Sequence, residues 1–485
     1  MMNWVLVYEV IYITIIVLVC LRIIYDTTNT SKTLAYLILV ISFPIVGILF
    51  YFAFGVNYRK RKMYSRKIIE DNRFASKLRE DILKHDEKKL EKSDTEKNVR
   101  ELAYMLLNDT MSPLTSDNHV KLLMNGENKF PEVLKALREA KDHIHIQYYI
   151  YEDDKIGREI EDILIRKAKE GVVVRFMYDD FGSHSIGRKL VHRLKENGVT
   201  VYPFLKIHFI LFANRINYRN HRKIIVIDGC TAFVGGINVS DRYINSKENK
   251  KKLYWRDAHI RIDGSGVHYL QYLFLCDWKF CSGDKMKPDE IFFPTINKMI
   301  KPGNKLVQIA ASGPDSETPT ILFSILQAIN LATKEVLITS PYFIPGESLM
   351  DALIVAALSG IDVKLMVPKV GDSVIVDLAA RSYYNDLLKA GVEIYQYTKG
   401  FNHAKTLVAD SNIAIVGTAN MDFRSFDLNF EVNAIIYDQE FATELRDVFY
   451  ADLKDSKKIN PTAWNDRPIY KELIEKTVRL VSSLL

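Results

Sequence analysis

A chain of 485 residues is too long for one ordinary core, so two or more domains are expected. Four cysteines with no zinc-type pairing argue against a disulfide framework or a cysteine metal site and fit a reducing compartment. A net charge of +6 and a sequence pI near 8.7 suit an anionic membrane surface or phosphate substrates without being diagnostic of either.

Val5 to Tyr25 is largely apolar, with Glu9 and Arg22 near its ends, and Leu34 to Phe54 carries no charge. A bilayer core of about 30 Å needs roughly 20 helical residues. Both runs are therefore expected to span, as a transmembrane hairpin over residues 1–58. A cleaved signal peptide is the other reading of the first run, but no small-residue cleavage site stands out between Asp26 and Lys32. Arg59-Lys60-Arg61-Lys62 follows directly, and the positive-inside rule places what comes after it in the cytoplasm. The cluster is also suited to anionic headgroups. Residues 59–112 read as a charged, helical, mostly solvated linker.

From Asn118 the pattern turns globular. HIHIQYYI from His143 reads as a strand, GREIEDILIRKAKE as a helix, GVVVRFMYDD as a strand, SIGRKLVHRLKENG as a helix and VTVYPF as a strand. The order returns in EVLITSPYFI, LMDALIVAALSG, IDVKLMVP, YYNDLLKAG and VEIYQY. Gly171 and Gly198 have counterparts in Gly360 and Gly391, so the chain is expected to hold two related halves, 113–300 and 301–485. Their predicted class is α/β, with mixed, largely parallel sheets flanked by helices. The first half carries extra residues ahead of its histidine, within Lys206–Asn220. The apolar IHFILFA there reads either as a packed extension of the core or as a membrane-contacting element.

The strongest signal is a duplicated stretch. NHRKIIVIDGCTAFVGGIN ends at Asn238, and NHAKTLVADSNIAIVGTAN ends at Asn420. Each places His, Lys, Asp, Gly and Asn at the same offsets: His221, Lys223, Asp228, Gly235 and Asn238, then His403, Lys405, Asp410, Gly417 and Asn420. Residues i and i+2 of a strand share a face, so His and Lys of each copy point the same way. The return strand brings Asn238 or Asn420 back toward its histidine. Two such platforms around one cavity suit a phosphodiester: Lys supplies charge and Asn a neutral donor to phosphate oxygens. One histidine can attack phosphorus while the other protonates the leaving alkoxide. Asp228 and Asp410 are grouped with the catalytic candidates as part of the motif, although their turn positions also fit a structural role.

These residues resemble the phospholipase D superfamily, whose signature is His-x-Lys-x4-Asp followed by Gly and Asn. More narrowly, FYFAFGVNYRKRK, IQYYIYEDDKIG, RFMYDDFGS, YWRDAHIRIDG, LITSPYFIPGESL and the ending NDRPIYKELIEKTVRLVSSLL resemble the bacterial cardiolipin synthases of that type. The resemblance implies transfer of a phosphatidyl group between two phosphatidylglycerol molecules through a phosphohistidine. It implies His221 as nucleophile, His403 as acid and base, and no cofactor or metal. It also implies that Asp257 and Glu431 hydrogen-bond a catalytic histidine, with Arg424 and Ser425 near the pocket. Hydrolysis or transfer to another alcohol stays open from the motifs alone. A nuclease is poorly served by two membrane spans, so phosphatidylglycerol and membrane lipid rather than nucleic acid are the expected partners, with homo-oligomerisation possible. The metal-binding motif Asp-Gly-x2-Ala-Arg, used to make cardiolipin from a nucleotide-activated lipid, does not occur. The terminal KELIEKTVRLVSSLL reads as an amphipathic helix, packed on its domain by default and on a membrane in the lesser reading.

Overall fold

The computed structural model describes residues 4–27, 30–54, 97–204, 218–245, 253–283, 290–294, 303–480 and 482. The Arg59–Lys62 cluster, most of the linker and the apolar IHFILFA segment lie outside these residues.

Helix α1 (Trp4–Asp26) is long and apolar enough to cross a membrane, at about 34 Å for its 23 residues. The second apolar run does not form the expected single span. It divides into α2 (Thr30–Ser42) and α3 (Pro44–Phe54), each shorter than a bilayer core. Their packing shows that the chain turns back at Phe43-Pro44. A Cβ on Gly47 would lie 2.6 Å from the Leu39 carbonyl oxygen, and the rings of Tyr36 and Tyr51 stand 5.4 Å apart. Proline lacks the N–H and blocks helix continuation, while glycine lets the two backbones meet. Tyr51 donates to Asp26 at 3.3 Å, so α3 returns to the level where α1 ends.

Lys97–Thr110, expected within the solvated linker, is instead a core helix. Leu102, Ala103 and Leu106 are fully buried among residues of the second half, including Ile321 and Val336.

The first half contributes β1 (Thr115–Met124), β2 (His143–Tyr148), β3 (Val173–Asp179), β4 (Thr200–Phe204), β5 (Ile224–Ile227), β6 (Thr231–Gly235) and β7 (Ala258–Asp263). The second contributes β8 (Lys305–Ser312), β9 (Glu335–Thr339), β10 (Asp362–Pro368), β11 (Glu393–Tyr397), β12 (Thr406–Ala409), β13 (Ile413–Gly417) and β14 (Asn429–Tyr437). From the centre outward the first half runs β1-β7-β6-β5-β2-β3-β4, and the second runs β8-β14-β13-β12-β9-β10-β11. The duplication read from the motifs is thus a duplication of topology. Parallel β2-β3-β4 and β9-β10-β11 form the outer parts, and antiparallel pairs form the middle. β1 and β8 pair antiparallel, with Thr115 opposite Val307, and join both halves into one mixed sheet.

Val/Ile-rich strands with every residue buried, such as IIVI in β5 and IAIVG in β13, are those expected of a sheet covered on both faces. One apolar cluster draws from both halves. Ile224, Val226, Ile260, Val307, Ile309, Val416 and Val432 pack there with Phe441 and Leu445 of the helix Gln439–Leu453. The seam between halves is therefore core rather than a domain boundary.

Candidate active site

Each histidine is placed by a strand exchange between halves. Arg219–Asn220, just before His221, pairs parallel with Asn429–Phe430 of the second half, and the His221 N–H donates to the Phe430 carbonyl at 3.0 Å. In mirror fashion Phe401–Asn402 pairs parallel with Trp255–Arg256 of the first half, and the His403 N–H donates to the Arg256 carbonyl at 2.7 Å. The two imidazoles come to line one cavity of about 370 Å³, together with Asn238, Asn420, Tyr149, Phe181, Arg219, Arg242, Trp255, Asp372 and Arg424.

The carboxylates cross over in the same way. Glu431 of the second half bonds His221 Nδ1 at 3.0 Å, and Asp257 of the first half bonds His403 Nδ1 at 2.7 Å. Both carboxylates are fully buried. A carboxylate on Nδ1 fixes a tautomer and leaves Nε2 as the other ring nitrogen. Glu431 is itself held by the Thr418 hydroxyl at 2.5 Å and by Asn429 at 3.2 Å. Asp257 accepts from the Ala258 N–H at 2.8 Å, and a Cβ on Gly236 would come within 2.9 Å of its carboxyl carbon. Thr418 in one motif and Gly236 in the other therefore answer to a long and a short carboxylate.

Lys223 and Lys405 are buried behind the histidines, each donating Nζ to the carbonyl of the histidine two residues earlier, at 2.8 Å for Lys223. Burial lowers Lys223 to about 7, with Glu431 pulling upward and Lys405 pushing further down. Burial likewise lowers Lys405 to about 8, against Asp257 and Glu431. Burial lowers His221 to about 4 despite Glu431, and His403 to about 3, where Lys405 adds to the fall and Asp257 opposes it. Burial thus favours the neutral form of both rings.

The motif glycines have a packing reason. A Cβ on Gly235 would lie 2.6 Å from the His259 Cα, and one on Gly417 would lie 2.6 Å from the Asn433 Cα. Asn238 spans the floor of the pocket, accepting from the Ile150 N–H at 3.2 Å and donating to the Tyr243 hydroxyl at 2.7 Å. Ser425 is buried beside Asn420, whose N–H it accepts at 3.2 Å.

Asp228 and Asp410, grouped with the catalytic candidates by the motif, make the structural contacts that their turn positions allowed. Both stand at the far end of β5 and β12 from the histidines, at φ of 52° and 51°. The Asp228 carboxylate accepts the N–H groups of Lys141, Asp142 and His143 at 2.8, 2.8 and 2.9 Å. That of Asp410 accepts those of Thr333, Lys334 and Glu335 at 2.6, 2.7 and 2.9 Å. They pin the start of β2 and β9, which is structural work.

Several residues in and behind the pocket escaped the motif reading. Arg219, against the Phe181 ring at 4.0 Å, stands directly ahead of the first motif and could have been suspected from its position. Arg222, the variable residue of His-x-Lys, is buried and donates to Asp277 at 2.7 Å and to the Glu431 carbonyl at 3.2 Å. Tyr342 and Asp372, paired at 2.6 Å, carry no local sequence signal. Among the described residues no cluster of three or more His, Cys, Asp or Glu side chains could hold a metal ion.

Comparison with known proteins agrees with this geometry. The family described as "Cardiolipin synthase, PLD-like domain" matches residues 133–254 and 325–453, and "Phospholipase_D-nuclease N-terminal" matches residues 11–55. The cardiolipin synthase of Alkalihalophilus pseudofirmus is 40% identical over 98% of this chain and 93% of its own. The major cardiolipin synthase of Bacillus subtilis is 41% identical over 98% of each chain. Among solved structures, phosphatidylserine synthase of Haemophilus influenzae shares the fold at a TM-score of 0.60 and 14% identity, over 79% of this chain and all of that one. Matched by this family over both halves and covered almost completely by these relatives, the chain belongs to the cardiolipin synthase family built on phospholipase D-like domains.

Proposed function

We propose that this protein transfers a phosphatidyl group from one phosphatidylglycerol to the terminal hydroxyl of a second, releasing glycerol and forming cardiolipin. The observation that carries the reading is the pair of imidazoles around one cavity, each backed by a buried carboxylate from the opposite half. His221 Nε2 attacks phosphorus, the P–O bond to glycerol breaks, and His403 gives its proton to the departing alkoxide. The second lipid's hydroxyl then gives its proton to His403 and attacks the same phosphorus, and the bond to His221 breaks. The rings occupy equivalent places, so assigning attack to His221 rests on the family resemblance.

The electrostatics support such a sequence. Neutral rings at pH 7 leave His221 free to attack. An anionic phosphate entering the cavity favours protonation of a nearby ring, and Asp257 stabilises that charge on His403. Lys223 and Lys405 place positive charge behind the reacting centre, with Arg219 and Arg424 on the wall.

The membrane placement belongs to the same proposal. α1 crosses the bilayer, α2 and α3 enter and return, and the basic Arg59–Lys62 sequence keeps the catalytic halves on the cytoplasmic face. The decisive assay is purified enzyme with phosphatidylglycerol alone, without added nucleotide or metal. Cardiolipin with equimolar glycerol is expected. Phosphatidic acid as sole product would make the protein a hydrolase.

A further inference from the structure

The cavity is small for its proposed substrate. About 370 Å³ accommodates a phosphoglycerol head, whereas each acyl chain of a lipid reaches through half a bilayer core, about 15 Å. The chains of both lipids must leave through the mouth, so the residues around it decide what the mouth faces.

Those residues are apolar and exposed in both halves. The turn after β3 presents Phe181, 50% exposed and lining the cavity. The turn after β10, the equivalent strand of the second half, presents Val370 at 70% exposed. Val374 and Ile375, 76% and 52% exposed, follow at the start of the helix Val374–Ala390, whose Val376 lines the cavity. Matched strands on either side of the β1–β8 seam put Phe181 on one flank of the opening and Val370, Val374 and Ile375 on the other. Exposed cations, Arg188 after the first turn and Lys369 in the second, accompany them. Single exposed apolar residues need no explanation, but a set gathered from two distant segments around one opening does.

We infer that this rim is a bilayer-docking surface, with Phe181, Val370, Val374 and Ile375 set at the boundary between headgroups and acyl chains, so that lipid heads pass directly from the membrane into the cavity. The inference rests on the lipid-transfer reading. Its occupant is the bilayer rather than a protein because the opening is continuous with the cavity that must receive lipid, and because α1 already brings the chain to a membrane. The basic residues complement an anionic leaflet.

Benzoylphenylalanine placed at Val374 in the full-length enzyme, in phosphatidylglycerol vesicles, should crosslink to lipid on illumination. The same group at Leu358, 71% exposed at the end of another helix, should not. A Val374 adduct to a second copy of the chain, or no lipid adduct there, overturns the inference. Separately, the triple variant Val370→Ser, Val374→Ser, Ile375→Ser should lose about tenfold or more of its rate on vesicles and less than about twofold on detergent-dispersed lipid. Equal loss in both also overturns it. The crosslink is read without turnover, so failure of the proposed reaction and failure of docking are distinguishable.

Discussion

At the residue scale, the four groups that matter most are two histidines and the two carboxylates that reach them from the other half. Replacing Asp257 with Asn or Glu431 with Gln keeps shape but removes the charge that holds each ring. Each is expected to lower kcat by about 10³–10⁴-fold, the cost typical of losing an orienting carboxylate. The crossover makes a sharper prediction. In Asp257→Asn the downfield Nδ1–H proton resonance of His403 should vanish while that of His221 stays; the reverse outcome would mean that each carboxylate serves its own motif. The titration behaviour is a second prediction. Lys223 and Lys405 lose charge as pH rises through about 7 and 8, because burial has lowered both. The histidines, lowered to about 4 and 3, stay neutral down to acidic pH. In the proposed sequence the leaving alkoxide takes its proton from His403, so the profile of kcat/KM, which reports the free enzyme, should be highest on the acid side and decline through pH 7 and above as His403 and then the lysines lose their protons. A profile still rising at pH 9 would contradict it. The His, Lys, Asn and Gly positions were legible in the sequence because they recur at fixed offsets. Arg222 and Tyr342 were not, since one motif carries Arg where the other has Ala404, and Tyr342 acts through a partner 30 residues away.

At the element scale, the strands and helices of both halves follow their apolar patterns closely, as at β3, β10 and the helix Lys155–Lys169. Three elements depart for physical reasons. The uncharged run after α1 satisfies the length of a span but contains Phe43-Pro44 and Gly47, which allow a reversal that hydropathy alone does not register. Lys97–Thr110 reads as solvated because it continues a stretch rich in Lys, Glu and Asp, yet its apolar stripe is what the second half buries. The helix Ile469–Arg479 turns Glu475 inward to Arg467 at 2.9 and 3.1 Å and leaves Ile469, Leu473 and Ile474 exposed, so its apolar periodicity is not a record of packing alone. The proposed placement, with α1 crossing and the chain reversing at Pro44, predicts a topology. One crossing plus a returning hairpin would put the start of α1 and the catalytic halves on opposite faces, whereas two crossings would put them on the same face. An epitope fused ahead of Met1 should be reached by antibody on intact spheroplasts, and one after Leu485 only after permeabilisation. Finding both sealed inside would restore the two-span arrangement.

At the scale of the whole molecule, duplication and interleaving are separate facts. Duplication was legible, because two copies of one pattern point to two similar folds. Interleaving was not. No local pattern states that residues before His221 pair with β14, or that those before His403 pair with Trp255–Arg256. These are contacts between segments far apart in the chain, fixed by β1 against β8 and by the core that Val307, Ile309 and Val432 share. The consequence is that neither half holds a complete histidine–carboxylate pair. The site exists only in the joined molecule, and under the proposed function its two rings address one phosphorus atom. The most direct measurement of that claim is to mix His403→Ala with phosphatidylglycerol and analyse the protein by mass spectrometry. A phosphatidyl group on His221, with glycerol released and cardiolipin absent or slowed at least a thousandfold, is the predicted result. Cardiolipin formed at the unaltered rate by a chain lacking either ring would contradict it.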